Sequence, residues 1–211
     1  MIMNEREIKQ TLAELRKMHP EAECELVYGT PYELLVSVIL SAQCTDKRVN
    51  EVTPALFRWC NTPEEMAKKT EEELIPYIRS CGFYNNKAKN IIACAKSLVE
   101  RFGGEVPKTV EELVTLAGVG RKTANVVYAV AFGGDAIPVD THVFRLAHRL
   151  GLSDANTPEG VEKDLNRQVP KEEWSAFHHL LIHHGRYVCK ARNPECERCE
   201  ITHCGARQSR G

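Results

Sequence analysis

Five threonines limit what this chain of 211 residues can fold into. Thr30, Thr62, Thr70, Thr109 and Thr157 each stand just ahead of a segment with helical apolar spacing. A threonine so placed accepts a hydrogen bond from a backbone N–H that the first helical turn leaves without a partner. Pro31, Pro63 and Pro158 directly follow three of them, where a missing N–H costs no intrahelical bond. Glu33, Glu65, Glu73 and Glu112 lie three residues beyond the first four, so each pair can close a capping box. Apolar residues then recur at helical intervals, as in Leu34, Leu35, Val38 and Ile39, or Ile91, Ile92, Ala95, Leu98 and Val99. No segment alternates apolar and polar residues between hairpin turns, so the sequence predicts an all-α fold.

With 43% hydrophobic and 27% charged residues the chain can bury a core, as one larger domain or two small ones, and is not wholly disordered. No apolar stretch approaches the ~20 residues of a membrane span. Met1 to Glu7 has neither the apolar core of a signal peptide nor the character of a transit peptide. The expectation is a monomeric cytoplasmic protein, nucleoid-associated in a prokaryote. Its net charge of −1 argues against coating nucleic acid through bulk positive charge, but leaves room for a local basic groove. The segment from Trp174 to Gly211 is the most basic surface, with Arg186, Lys190, Arg192, Arg198, Arg207 and Arg210 against three glutamates.

Nine cysteines divide into two groups. Cys24, Cys44, Cys60, Cys81 and Cys94 are scattered and read as small buried apolar residues. An odd total in a reducing compartment fits a disulfide framework poorly. Cys189, Cys196, Cys199 and Cys204 instead fall within 16 residues, separated by six, two and four residues. Four soft thiolates in one loop can occupy four tetrahedral corners. Spacing alone admits either a structural zinc ion or a [4Fe–4S] cluster. No open coordination position is implied, so the group reads as a clamp on a segment with few apolar residues of its own. Lys190 and Arg192, between the first two cysteines, would meet DNA phosphates if that clamp holds the loop outward.

Leu113 to Ala124 joins the end of one helix to the start of another. Gly118 and Gly120 permit positive φ and leave backbone N–H groups unshielded at a helix N-terminus, where the dipole favours an anion. Alone, the Gly-x-Gly is equally a tight turn between packed helices. Leu113-x-x-Leu116 before it and Arg121-Lys122-Thr123-Ala124 after it make a helix-hairpin-helix over about 107–132, which favours a DNA phosphate bound independently of base sequence. Lys122 taken alone is also a surface lysine on a first helical turn, and Asp140-Thr141-His142 also reads as an ordinary helix cap.

Longer segments carry a resemblance. Leu116 to Val127, Val139 to Arg145, and His184-Gly185-Arg186 leading into the cysteines resemble the endonuclease III family, DNA repair glycosylases and abasic-site lyases that excise oxidised pyrimidines. Leu40 to Asp46 and Gly82 to Ala88 match as well, in the same order and without a large insertion. The resemblance implies two helical domains flanking a DNA-binding cleft: a six-helix barrel with the hairpin over 25–134, and an iron–sulfur cluster domain made of 1–24 and 135–211. It implies that Lys122 attacks C1′ of the damaged nucleotide and forms a Schiff base, and that Asp140 accepts protons or stabilises charge on the sugar. Partial desolvation and the helix N-terminus would help Lys122 shed its proton. By the same resemblance Gln43 and Phe83 fill the gap left by an extruded nucleotide. His142, with Gly118, Gly120, Arg121 and Thr123, touches DNA, and the four cysteines hold a [4Fe–4S] cluster. The partner is double-stranded DNA carrying damaged bases or abasic sites. Phe83 stands where the family usually has Leu, and the last cysteine interval is four residues rather than five.

Two other readings remain at this point. Adenine-specific mismatch glycosylases share the architecture but generally lack a lysine at position 122 and carry a further C-terminal domain, whereas this sequence stops at Gly211. A non-catalytic DNA-binding module would use the hairpin with a zinc clip.

Overall fold

The computed structural model describes residues 2–208, and among them every regular element is helical. The helices are α1 (Glu5–Met18), α2 (Pro31–Ser41), α3 (Asp46–Trp59), α4 (Pro63–Met66), α5 (Glu71–Ile78), α6 (Tyr84–Phe102), α7 (Val110–Leu113), α8 (Arg121–Phe132), α9 (Thr141–Leu150), α10 (Pro158–Gln168), α11 (Trp174–Tyr187) and α12 (Gly205–Gln208). Single 3₁₀ turns occupy Lys171–Glu173 and Cys196–Arg198. Arg210 of the basic tail lies outside the described residues.

All five threonines cap their helices. Each hydroxyl accepts from the N–H three residues on, at 3.1 to 3.3 Å. The reciprocal half of the box forms at only one of the four expected places, where the Glu73 carboxylate accepts from Thr70 N–H at 2.8 Å. Glu33 and Glu65 reach one residue further back, to the N–H groups of Gly29 (2.6 Å) and Asn61 (3.4 Å). Glu112 accepts instead from the Thr109 hydroxyl at 2.8 Å. Asn4 with Glu7 closes a full box on α1, and Thr45 caps α3.

The chain divides into two compact units, Glu25–Gly134 and Met1–Cys24 with Asp135–Gly211. In the first, α2 lies against α3, α6 and α8. Its sequence Leu34-Leu35-Val36-Ser37-Val38-Ile39-Leu40 is apolar on nearly every side, and all seven residues are buried. A helix apolar all round belongs at the centre of a core. Helix α6 packs against α4 and α5, and α7 packs against α8.

In the second unit α9 contacts α10, α11 and α12, while α1 contacts α11. Leu15, Val143, Leu146, Leu165, Phe177 and Leu181 are fully buried in its core. The start of the chain is tied to the rest by Met3 N–H donating to Gly151 O at 2.8 Å. The end is tied by Thr202, whose N–H and hydroxyl both donate to Glu14 (2.9 and 2.6 Å), and by the Lys17–Glu200 ion pair at 2.5 Å. None of the helices is long and apolar enough to cross a membrane, among the described residues.

The caps and one half-buried histidine give measurable consequences. Thr70→Ala removes the box on α5 and is expected to cost about 1 kcal/mol, read as a fall in Tm of roughly 2–4 °C by calorimetry. Burial, reinforced by His183 and Arg186, pushes His179 from 6.5 down to about 4. A histidine held neutral in the fold gives its full stabilisation above the unfolded value of 6.5 and loses it as the pH falls towards 4. Urea midpoints measured between pH 7 and pH 4 should therefore fall, and fall less in His179→Gln.

Candidate nucleic-acid interface and catalytic residues

The hairpin between α7 and α8 is built around Gly118, whose φ of +76° favours glycine. A Cβ there would also stand 2.8 Å from Asn90 Cβ on α6. Gly120 differs from the sequence expectation: its φ is −83°, an ordinary value, and a Cβ would meet nothing within 4 Å. Nothing inside the chain requires glycine at that exposed position. Gly120 is also the N-cap of α8, and it supplies no side-chain hydrogen bond to the first turn. Backbone N–H groups at the start of α8 thus keep the outward donor capacity of an unanswered helix N-terminus.

Arg121 and Lys122 are exposed on that first turn and Thr123 is half-buried. Lys122 makes no hydrogen bond or ion pair among the described residues.

The same unit brings Gln43 and Phe83 to adjacent loops. A Cβ on Gly82 would lie 3.7 Å from the Gln43 carbonyl oxygen. Both residues adopt the left-handed conformation, with φ of +53° and +58°, which is rare for side chains of this size. Phe83 is 64% exposed, so it is neither a core aromatic nor packed in the loop. A large apolar ring held out in water on a left-handed backbone is costly to maintain, which makes Phe83 a candidate site residue. A cavity of about 490 Å³ lined by Tyr32, Pro63, Val106 and Phe132 includes none of the candidate residues.

Asp140 belongs to the other unit and is the N-cap of α9. Its Oδ1 accepts from the N–H groups of His142 and Val143, both at 2.8 Å. The helix start thereby fixes the carboxylate through one oxygen. His142 is half-buried, and burial holds it below the usual histidine range, with Asp140 opposing and Arg145 and Arg186 reinforcing the shift. Arg145 Nη2 lies 3.2 Å from His142 Nδ1. An arginine only donates, so that ring nitrogen is the acceptor.

Arg145 and Arg149, which sequence reasoning passed over, organise the cysteine loop. Arg145 donates to Gly185 O (2.8 Å) and Cys189 O (3.1 Å). Arg149 donates to Lys190 O (2.7 Å) and Ala191 O (3.0 Å), and its Nη1 reaches Cys189 Sγ at 3.4 Å. Cys204 Sγ in turn donates to Arg149 O at 3.6 Å. Fully buried His184 has Nδ1 3.0 Å from His19 Nε2 and Nε2 3.6 Å from Cys199 Sγ. The only available signal for the arginines was their four-residue spacing on one face of α9.

All four cysteines are free, and three of them, Cys189, Cys199 and Cys204, pack against the core of their unit. Among the described residues no three of His, Cys, Asp and Glu are drawn together as a ligand set for one metal ion. The donor set is thiol-only, with a guanidinium against the first sulfur. That chemistry fits a soft, thiolate-ligated group whose negative charge needs an adjacent cation. Arg192 is exposed, but Lys190 is held in an ion pair with Glu195 at 2.5 Å. Nothing in the sequence signalled this pairing, which a phosphate would have to compete with for Lys190. The same carboxylate also pairs with Arg198.

Residues 36–171 match the HhH-GPD superfamily of base excision DNA repair proteins. The chain is 52% identical over 201 residues to endonuclease III of Bacillus subtilis strain 168, covering 95% of this chain and 92% of the relative. Identity to endonuclease III of Synechocystis sp. is also 52%, over 190 residues, with 90% and 87% covered. A solved structure of a trapped endonuclease III–DNA covalent intermediate, the estranged-adenine complex, superposes with a TM-score of 0.95 at 48% identity, covering 99% of each chain. The chain belongs to the HhH-GPD superfamily and, within it, to the endonuclease III family.

The two hairpin glycines separate by experiment. Gly118→Ala meets both a positive φ and the Asn90 side chain, and should destabilise by about 1–3 kcal/mol. Gly120→Ala should leave the urea midpoint unchanged, since its Cβ enters open space.

Proposed function

We propose that this protein is a bifunctional base excision repair enzyme: a DNA N-glycosylase for oxidised pyrimidines that also cleaves the abasic site by β-elimination. The observation that carries the reading is Lys122, an exposed amine without a protein partner among the described residues, on the first turn of a hairpin helix. It is supported by likeness to a protein captured as a covalent intermediate on DNA.

In this reading the protein acts on damaged double-stranded DNA. The barrel unit brings Lys122 from the hairpin, and the unit containing the four cysteines brings Asp140. Backbone donors at Gly118, Gly120 and the start of α8 hold a phosphate, with Arg121 and Thr123 beside them. Gln43 and Phe83 enter the space left by the extruded nucleotide and offset part of the few kcal/mol that unstacking costs. His142 and Arg192 approach the backbone of the duplex.

The neutral Lys122 amine attacks C1′, the damaged base leaves with the bonding pair, and a Schiff base forms as the sugar opens. Loss of a proton from C2′ then expels the 3′ phosphate, and water releases the lysine. Asp140 Oδ1 is engaged by helix N–H groups, which leaves Oδ2 to take a proton or to face positive charge growing on the sugar. A carboxylate that simply paired with Lys122 would keep the amine protonated, so holding Asp140 at its own helix start serves the chemistry.

Cys189, Cys196, Cys199 and Cys204 hold a [4Fe–4S] cluster in this reading. When bound, it supplies a structural clamp rather than an open coordination position. The Arg149 contacts to Cys189 support it, since they place positive charge where the cluster's charge would lie. Arg145 and Arg149 keep the loop's carbonyl groups turned inward. The protein acts as a soluble monomer.

Borohydride reduction on a duplex containing thymine glycol should give a covalent protein–DNA adduct that disappears in Lys122→Ala. Asp140→Asn should lower turnover by about 10²-fold or more while retaining DNA binding. Absence of adduct from folded, DNA-binding protein would sink the lyase assignment. Purified protein should be brown and contain iron. Stoichiometric zinc in its place would overturn the cluster alone.

A further inference from the structure

Next to the two gap-filling residues, the Glu25–Gly134 unit holds a pair of free thiols. Cys44 is half-buried, between Gln43 and the Thr45 cap of α3. Cys81 is fully buried in the turn that follows α5, where its N–H donates to Ile78 O at 2.8 Å. The two thiols lie close enough for each to act on the other's charge. Their main chains converge as well, with a Gly82 Cβ standing 3.7 Å from Gln43 O.

The surroundings of this pair are cationic. Lys87 on α6 is only 5% exposed, and its Nζ donates to Leu40 O at 2.8 Å. Its charge acts on both sulfurs, and Arg48 on α3 acts on Cys81. Burial and the neighbouring Cys44 together push the Cys81 thiol up to about 11. Burial lowers Lys87 from the usual lysine value, while the two thiols oppose that shift. None of this is used in the lysine chemistry of the repair reaction. A buried ammonium beside paired sulfurs is ready to neutralise whichever sulfur gives up its proton.

We propose that Cys44 and Cys81 are a redox-active dithiol that closes to an intrachain disulfide under peroxide and so ties the Gln43 loop to the Phe83 loop. Cys44, the sulfur that solvent reaches, attacks hydrogen peroxide as the thiolate. Its sulfur is oxidised by two electrons to a sulfenic acid, and the departing hydroxide takes up a proton to leave as water. Cys81 then gives up its proton and attacks the sulfenic sulfur. The S–O bond breaks, the S–S bond forms, and a second water leaves. One peroxide and two thiols become one disulfide and two waters. The bond needs the sulfurs to close to about 2.05 Å, and the main chains that carry them already converge where Gly82 meets Gln43. Cross-linking removes independent movement of two loops that must seat in an opened duplex, so turnover falls. That last consequence rests on the role proposed above for Gln43 and Phe83, whereas the disulfide does not.

The test uses the full chain in its metal-loaded form, treated with stoichiometric hydrogen peroxide, alkylated with iodoacetamide and mapped by peptide mass spectrometry. The expected result is a linked peptide pair joining Cys44 and Cys81, two hydrogens lighter than the free peptides. It is reversed by dithiothreitol and absent from Cys44→Ser and Cys81→Ser. The cross-linked protein should turn over an abasic duplex several-fold more slowly, with recovery on reduction. Reduced Cys44→Ser should match reduced wild type and ignore peroxide. Cys44 found as sulfinic acid, or joined to any other cysteine, overturns the dithiol. A cross-linked protein with unchanged turnover overturns the coupling to the loops. Slowing that persists in Cys44→Ser overturns it too, and assigns the effect to the thiolates between 189 and 204. If reduced wild type shows no turnover, the repair reading fails, and the mass of the linked peptides still decides the dithiol.

Discussion

The first turn of an α-helix leaves N–H groups that no carbonyl within the helix accepts, and this chain handles them in two ways. Helices α1, α2, α3, α4, α5, α7, α9 and α10 are each closed by a side-chain oxygen of Asn, Thr or Asp. Helices α6, α8 and α11 have no side-chain cap, and α11 continues directly from the 3₁₀ turn Lys171–Glu173. Phe83 in a left-handed conformation opens the first of them, and Gly120 with open space at its Cβ position opens the second. Both open starts fall in segments that the proposed function assigns to DNA. A polyanion is the natural acceptor for donors that the protein leaves unanswered, because the helix dipole and the bare N–H groups act in the same direction.

Charge is handled with similar economy. Several cations are engaged within the protein: Lys190 and Arg198 with Glu195, Arg145 and Arg149 of α9 with the carbonyl groups and first sulfur of the cysteine loop. With a net charge of −1, little positive charge is left over to attract nucleic acid non-specifically. In the proposed function the interface then rests on placed contacts, Lys122, Arg121, Arg192 and backbone donors among them. Catalytic and positioning roles divide in the same way: Lys122 is left without a protein partner among the described residues, whereas Asp140 is anchored at its own helix start by two N–H groups.

Much of the local structure could be read in advance. The caps at Thr30, Thr62, Thr70, Thr109 and Thr157 depend on residues within three positions of one another, and all five form. The glutamates were less legible. A carboxylate on a flexible stem chooses among several nearby N–H groups, and at Gly29 and Asn61 it chose the neighbour. Gly118 needed a left-handed φ, as its sequence context suggested, but Gly120 did not. Arg145 and Arg149 gave no signal beyond their four-residue spacing, because their acceptors lie about forty residues away on a different element. Lys190 looked like a free cation until Glu195, five residues along a non-helical loop, proved to reach it.

By itself the sequence determined the all-α class, the placement of the helix starts, the hairpin that sets Lys122 on a first turn, and a thiol-only donor set. These are properties of short range, fixed by capping, helical periodicity and residue spacing. Tertiary structure decided which groups at those places remained available. It turned Arg145 and Arg149 onto the cysteine loop, left Lys122 exposed, and held Phe83 in solvent while burying Cys81 beside Cys44. Burial and hydrogen bonding between distant segments set those outcomes, and no window of neighbouring residues contains that information.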